Sequence, residues 1–221
     1  MIGMFTATTR IRALVWVAAV LLTPIGRARA APSPEEKALA TTLFQEGRAL
    51  MATQKYEEAC PKLEESQRLD PSGGTILNLA LCHERGARLA SSWSEFKEAA
   101  MVARRDARQD REQEALSHVQ ALEPRLSRLT IVVPPSARVE GLQIERDGRE
   151  IGPGAWSTAM PIDGGEHTVR ATALGRDPFA ITVAVAKESD AKTVEIPVLA
   201  IPVTLVAPPR VEAPVLVSPA L

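Results

Sequence analysis

Few residues of this chain have the chemistry of a catalytic or metal site. Its 221 residues include two cysteines and three histidines. Cys82, His83 and Glu84 are adjacent, which could suggest a metal ion, but a zinc site needs several converging ligands and the chain has few residues to supply them. The G-x-S-x-G, H-E-x-x-H and G-x-x-x-x-G-K-[ST] patterns of hydrolases, zinc proteases and phosphate-binding loops are absent from the sequence. We therefore expect no catalytic residue, no metal and no cofactor.

Two pairs of acidic residues, Glu57-Glu58 and Glu64-Glu65, are the remaining candidates for acid–base chemistry. The apolar residues around them recur at helical spacing, which predicts an amphipathic helix with both acidic pairs on its outer face. Carboxylates on such a face are ordinarily solvated, so we interpret both pairs as surface residues. With 45% hydrophobic residues the chain is able to bury a core. These observations predict a folded protein that is not an enzyme.

Residues 1–30 have the order of a secretory signal peptide. Arg10 and Arg12 precede an apolar run at 13–22, and Ala28-Arg29-Ala30 is a small-x-small cleavage site. A membrane anchor is the alternative, but the apolar run is about half of the roughly 20 residues that a spanning helix needs. We expect an exported protein of the periplasm or cell envelope of a Gram-negative bacterium, with no stable transmembrane helix in its mature chain.

Removal of this segment would leave an acidic protein. The segment carries four of the 26 basic residues and none of the 27 acidic ones, so the mature chain keeps 22 basic residues and has a net charge of −5. Nucleic acids and anionic lipids attract proteins with an excess of positive charge, which this chain does not have. We therefore predict no nucleic-acid partner.

Residues 34 to about 122 have the pattern of successive helices. Ser33-Pro34-Glu35-Glu36 combines a candidate N-cap, a proline at the first helical position and carboxylates near the positive end of the helix dipole. Pro61 lies about one turn into the second helix, so that helix either begins later than Tyr56 or is kinked at Pro61. Helix-stop residues separate five predicted helices, at 34–52, 56–69, 75–84, 89–100 and 110–122.

The first two helix pairs repeat with a period of 33 residues. The aligned positions are Leu43, Gly47, Tyr56, Ala59, Leu63 and Pro71 in the first pair, and Ile76, Ala80, Leu89, Ser92, Phe96 and Arg104 in the second. Most of these residues are apolar or small, which is typical of stacked helical hairpins. The first pair resembles a tetratricopeptide repeat in Gly47 at the helix crossing, Tyr56 at the start of the second helix and the terminal Pro71. The second pair resembles a more degenerate copy.

The resemblance implies a stack of tetratricopeptide-like hairpins over 31–126, with the fifth helix as its cap. Because such stacks usually need at least three repeats, the cap, the next domain or a partner must cover the remaining surface. Proteins of this family bind partners in a groove lined by the first helix of each pair. The alternative is that the N-terminal helix or the β domain covers this surface. Here the resemblance assigns the groove to Phe44, Arg48, Met51, Leu77, Leu81 and Glu84.

The same resemblance bears on the two cysteines. In stacked hairpins the helices that carry Cys60 and Cys82 are adjacent and antiparallel, which brings the two residues to the same level. An exported protein matures where disulfides persist, so the resemblance implies a Cys60–Cys82 bridge. Two buried free thiols are the alternative, since cysteine packs as a small apolar residue.

Beyond Pro124 the pattern changes to the alternation of β-strands. Strands are predicted at 129–133, 142–146, 159–162, 167–173, 179–185 and 193–198. Asp147-Gly148 is a typical hairpin-turn dipeptide, and a second hairpin is predicted around Asp163-Gly164-Gly165. Short strands without intervening helices indicate a small antiparallel β-sandwich over 127–199. The proline-rich residues 200–221 predict an extended tail, either disordered or docked on a partner.

The strand half also resembles the PEGA family of surface-protein modules. The resemblance is carried by Asp147, Gly148, Gly152, Pro161, Gly164, Gly165 and His167. The whole chain is then an α+β protein of two domains and is similar to exported envelope proteins of myxobacteria-like organisms. We expect an interaction adaptor of the cell envelope that binds a protein or peptide through the helical groove. A cell-wall or polysaccharide-associated structural module that uses the β-sandwich is the alternative.

Overall fold

The computed structural model describes residues 31–202, in which five helices precede two β-sheets. The helices are α1 Pro34–Ala52, α2 Tyr56–Leu69, α3 Gly73–Arg85, α4 Leu89–Arg105 and α5 Gln109–Leu122. The strands are β1 Ser127–Val132, β2 Gln143–Arg146, β3 Arg149–Glu150, β4 Ala159–Ile162, β5 Gly165–Thr172, β6 Phe179–Val185 and β7 Ala191–Glu195. The predicted α+β fold class is therefore confirmed. The predicted signal peptide and the tail beyond residue 202 lie outside the described residues.

Helix α1 begins with the capping that the sequence predicts. The Ser33 hydroxyl accepts a hydrogen bond from the Glu36 amide at 3.1 Å, and the Glu36 carboxylate accepts one from the Ser33 amide at 2.7 Å. These reciprocal bonds satisfy amides that a helix terminus otherwise leaves without partners. Helix α3 begins at Gly73, earlier than the predicted start at 75, because the Ser72 hydroxyl caps it by accepting from the Thr75 amide at 3.1 Å.

The same turn joins the two helices of each predicted pair. Gln54 and Ala87, 33 residues apart, have positive φ angles of 61° and 60°. After Gln54, the Lys55 amide donates to the Leu50 carbonyl at 3.0 Å. After Ala87, the Arg88 amide donates to the His83 carbonyl at 2.8 Å. Ala107, with φ 54°, repeats the same turn between α4 and α5. Turns this short make each pair of joined helices an antiparallel hairpin.

The first hairpin is closely packed where α1 crosses α2. A Cβ atom added to Gly47 would lie 2.8 Å from Leu63 Cγ, so this position accommodates no larger residue unless the buried Leu63 side chain moves. Leu63 belongs to the core of the helical half, whose largest fully buried side chains also include Phe96, Leu89 and Leu122. The small residue at the crossing therefore sets the distance between the two helices.

Pro61 lies inside α2 and not before it. The helix begins at Tyr56 and continues through Pro61 to Leu69, so the alternative of a later helix start is wrong. Proline has no amide hydrogen, so the carbonyl one turn back, that of Glu57, loses its partner in the helix. The Pro61 ring is exposed. The helix therefore carries an unfavourable residue on its solvent side.

The strands form two sheets, of which one departs from the predicted antiparallel arrangement. The first sheet has the order β4-β1-β7, with β1 antiparallel to β4 and parallel to β7. The second sheet has the order β3-β2-β5-β6 and is antiparallel throughout. Both sheets contribute to one apolar core, with Leu129, Ile131 and Val194 from the first and Ile144 and Val169 from the second. The two sheets thus pack face to face.

The predicted hairpin over 159–173 is wrong. Strand β4 pairs with β1, whereas β5 pairs with β2 and β6 in the other sheet. The chain crosses between the sheets at Gly164, where an added Cβ would lie 2.5 Å from the Lys187 Cα atom. Gly164 is therefore required by a close crossing of two backbone segments and not by a tight turn.

The Asp147-Gly148 hairpin is confirmed. Both residues have positive φ angles, 52° and 74°, as a two-residue type I′ turn requires. Strands β2 and β3 flank the turn with Arg146 opposite Arg149. Within residues 31–202, no helix has the length and apolarity needed to cross a membrane.

Candidate functional site

The six residues assigned to a helical groove differ in their exposure. Met51 is 7% exposed and Leu77 9%, so both are buried in the helical core. Phe44 and Leu81 are partly buried and pack against that core, and Arg48 is exposed. Met51 and Leu77 consequently offer little area to a partner. We use the name helical face for the residues of this set that retain exposed area, Phe44, Arg48, Leu81 and Glu84.

Phe44 lies at the edge of a small cleft. The cleft has a volume of about 280 Å³ and is lined by residues of α1, the end of α2 and the start of α3, namely Ala40, Thr41, Phe44, Ser66, Asp70, Ser72, Gly74 and Thr75. The Arg48 guanidinium lies 5.8 Å from the centroid of the Phe44 ring, a cation–π distance. An aromatic side chain at the rim of a pocket and a neighbouring arginine are residue types that commonly anchor protein partners.

Glu84, at the other end of the helical face, is held by a histidine that the sequence analysis did not identify. Its Oε2 atom lies 2.8 Å from Nδ1 of His118 on α5. The His118 ring is stacked on Phe96, with centroids 4.3 Å apart and an angle of 8° between the planes. This contact places α5 against both α3 and α4. No local pattern around His118 marks it, because its two partners come from other helices.

The disulfide between Cys60 and Cys82 is confirmed. It joins α2 to α3, with the two Cα atoms 5.7 Å apart and the residues 4% and 0% exposed. The alternative of two free thiols is therefore wrong. The bridge links the first helical hairpin to the second, and it closes a segment with a sequence separation of 22 residues.

Helix α4 is capped from the β domain. Its own N-cap residue, Arg88, makes no capping bond with its side chain. Instead Asp163, between β4 and β5, accepts hydrogen bonds from the amides of Ala90 at 2.8 Å and Ser91 at 3.0 Å, and from the Ser91 hydroxyl at 2.5 Å. A carboxylate at this position also interacts favourably with the helix dipole. The capping bonds fix the helical half to the β half.

A buried histidine, His83, contacts Arg88, the N-cap residue of α4. His83 is 1% exposed, and its Nδ1 atom lies 2.8 and 2.9 Å from the two carboxylate oxygens of Glu95. Its Nε2 atom lies 3.1 Å from a Glu64 oxygen and 3.0 Å from Arg88 Nη1. Burial raises the pKa of Glu95, and the His83 hydrogen bond offsets only part of that effect. The cluster joins α2, α3 and α4, so we interpret it as a structural link.

A second histidine joins two loops of the β domain. His167 Nδ1 lies 2.8 Å from Asp147 Oδ2, and its Nε2 lies 2.9 Å from the Asp163 carbonyl oxygen. The other Asp147 oxygen accepts from the Thr168 amide at 2.9 Å. Burial alone would raise the pKa of Asp147, but the bonds from His167 and Thr168 and the nearby Arg146 charge outweigh it, so this pKa is lowered.

These groups border a cleft of about 570 Å³ between the helical half and the β half, which we call the junction cleft. Its lining is polar and charged, and a volume of this size is typical of small-ligand sites. The residues that line it are Arg88, Ala90, Ser91, Ser94, Glu95, Arg146, Asp147, Arg149, Pro161, Ile162, Asp163 and His167. Among residues 31–202 no group of three or more histidine, cysteine or acidic side chains is arranged to hold a metal ion.

Comparison with known proteins assigns no family to the chain. No model of a known protein family matches it, and no curated protein is significantly similar to it. The acidic pairs considered for catalysis lie on α2, with Glu57, Glu58 and Glu64 exposed and Glu65 paired with Arg68. The helical face with its Phe44 cleft and the junction cleft are two candidate binding sites among the described residues.

Proposed function

We propose that the protein is an exported, non-enzymatic interaction adaptor of the cell envelope. In this proposal a short stack of tetratricopeptide-like hairpins binds a protein or peptide partner through the helical face. The observation that carries the proposal is Phe44, which is only partly buried, lines a cleft formed by three helices, and has the Arg48 guanidinium 5.8 Å from its ring centroid. Large apolar side chains at such positions typically anchor partners.

The rest of the helical half supports this function by keeping the face rigid. The disulfide joins the two hairpins, and the His118 contact fixes Glu84 of α3 relative to α5. A preorganised surface loses less conformational entropy when it binds than a mobile one does. The Asp163 cap adds a fixed connection to the β half, so a partner on the helices would be held at a defined position relative to the sandwich.

Export is the second part of the proposal. It is supported by the signal-like order of residues 1–30 and by the disulfide, since disulfides persist outside the reducing cytosol. Expression of the full chain with a C-terminal tag in a Gram-negative host, followed by fractionation, tests it. We expect a processed protein in the periplasmic fraction, with an N-terminus near residue 31. A full-length protein that stays in the cytosol would contradict export.

Binding through the helical face is tested by capture from envelope extract of the source cells. The double variant Phe44→Asp/Leu81→Asp places charge on the face, and we expect it to retain about tenfold less of each specific partner, as loss of a binding hot spot does. Met101→Asp on α4 is the matched control, because Met101 is 65% exposed and lies outside the face. Equal retention by the wild-type protein and the double variant would refute the proposal, provided that circular dichroism shows both to be folded.

A further inference from the structure

Two arginines that line the junction cleft lie opposite each other on neighbouring strands. Arg146 and Arg149 are register partners across the β2–β3 hairpin, on either side of the Asp147-Gly148 turn, and both line the cleft. Register partners in an antiparallel pair project to the same face of the sheet, so the two arginine side chains start from one side of it. Like charges in that arrangement repel each other. A bound anion between them would remove this repulsion.

The acidic residues of the cleft already have hydrogen-bond donors. Asp163 accepts from the α4 amides and from Ser91, and both Asp147 oxygens accept from the β domain. Both oxygens of Glu95 face His83 Nδ1, and burial raises the pKa of Glu95. The carboxylates that line the cleft are thus already hydrogen-bonded within the protein. Arg146 has only a long ion pair with Asp147, at 3.7 Å, and Arg149 has no carboxylate partner among the described residues.

Among the described residues, Arg149 makes no ion pair and no hydrogen bond through its side chain. The nearest carboxylate oxygen to Arg146 Nε is Asp147 Oδ2 at 3.7 Å, an atom that His167 already contacts at 2.8 Å. Arg88 differs from these two arginines, because it donates to Glu64 and contacts His83. Two guanidinium groups with free donors therefore border a cleft large enough for a small molecule.

We propose that the junction cleft binds a small oxyanion, a carboxylate or phosphate group, between Arg146 and Arg149. The planar guanidinium group presents paired donors that match the paired oxygens of these anions, and such charge-assisted bonds are stronger than neutral ones. Ser94, on the exposed side of α4 and also in the cleft lining, supplies a hydroxyl donor. This site lies apart from the helical face, so either proposal can fail without the other.

Titration calorimetry on the full mature protein at low ionic strength tests the site. Inorganic phosphate and succinate are the two probes, and succinamide is the uncharged control for succinate. We expect saturable binding of at least one anion with a Kd of about 1 mM or tighter, no binding of succinamide, and weakening by added salt. Binding of only one of the two probes, phosphate or succinate, would show which oxyanion geometry the arginines prefer. Either result supports the site.

Two variants separate the site from general charge effects. Arg149→Gln keeps hydrogen-bonding groups but removes the charge, and we expect it to weaken anion binding about tenfold. Arg170→Gln is the matched control, since Arg170 is an exposed arginine of β5 outside the cleft. Because Arg149 is also exposed, its replacement leaves the fold intact, which the unfolding midpoint verifies. The proposal is overturned if neither anion binds saturably, or if both variants lose the same affinity.

Discussion

Removal of the Asp163 carboxylate should destabilise the protein more than loss of any other exposed or half-exposed aspartate. The side chain is 18% exposed and accepts three hydrogen bonds, two from α4 amides and one from the Ser91 hydroxyl. Loss of an N-cap costs about 1 kcal/mol, and loss of a carboxylate near a helix N-terminus costs about 0.3–1 kcal/mol more. With the unpaired amides left in a partly buried site, we expect Asp163→Ala to lower the free energy of unfolding by about 2 kcal/mol.

The assay is urea unfolding of the chain from residue 31 onward, followed by far-UV circular dichroism and by tryptophan fluorescence. Trp93 in α4 and Trp156 in the β half report on the two sides of the junction, so single-tryptophan variants follow each side separately. In the wild-type protein we expect the two fluorescence transitions to coincide. In Asp163→Ala the α4 side should unfold at a lower urea concentration, because the capping bonds that tie it to the β half are gone.

Two further variants make this experiment decisive. Asp163→Asn keeps an oxygen acceptor but loses the charge, so it should cost about 0.5–1 kcal/mol, less than the alanine variant. Asp177→Ala is the matched control, an exposed aspartate of the β half whose side chain makes no hydrogen bond or ion pair to the described residues. If Asp163→Ala loses no more stability than Asp177→Ala, the account of α4 capping across the junction is incorrect.

Three other predictions follow from the described residues. Replacing Cys60 and Cys82 with serine should lower the free energy of unfolding by about 3 kcal/mol relative to the disulfide-bonded wild-type protein, in the chain-entropy model. In urea unfolding the variant should match the reduced wild-type protein, and a variant as stable as the disulfide-bonded protein would contradict this. Pro61→Ala should raise the free energy of unfolding by about 1–2 kcal/mol, because the α2 hydrogen bond regained outweighs the greater entropy of the unfolded chain, and an unchanged or lower value in urea unfolding would contradict this. The lowered pKa of Asp147 means that its contact with His167 stabilises the protein above the usual aspartate pKa, and that this stability is lost as the pH falls below about 4. Asp147→Asn should therefore have a lower unfolding midpoint than the wild-type protein at neutral pH, and the two midpoints should converge in acid. A difference in midpoint that grows in acid would contradict this prediction.

Local signals in the sequence predicted the features whose partners are near in the chain. The Ser33 capping box and the Asp147-Gly148 turn depend on residues within a few positions of each other, and both are confirmed. The 33-residue period of the helix pairs is also the spacing of the Gln54 and Ala87 turns, each of which is built from one short segment. The Cys60–Cys82 bridge joins residues 22 positions apart, and its prediction depends on the resemblance to stacked hairpins.

Features that depend on distant residues were missed. Asp163-Gly164-Gly165 has the composition of a hairpin turn, but Asp163 caps a helix 73 residues earlier in the chain and Gly164 passes against the Lys187 backbone. The exposure of Met51 and Leu77 was overestimated because helical spacing alone does not tell which of two apolar stripes is buried. No local pattern marks Arg146 and Arg149, since only the position of α4 against the sandwich brings them to a cleft.

The most direct test of the central claim is site-specific photo-crosslinking in envelope extract. A photoreactive phenylalanine analogue at position 44 conserves the aromatic ring at the rim of the helical-face cleft, and the same analogue at exposed position 101 is the control. We predict a discrete crosslinked partner from position 44, absent at position 101 and lost when Leu81→Asp is added. The same products from both positions, or none from position 44, would contradict the claim that the helical face binds a partner.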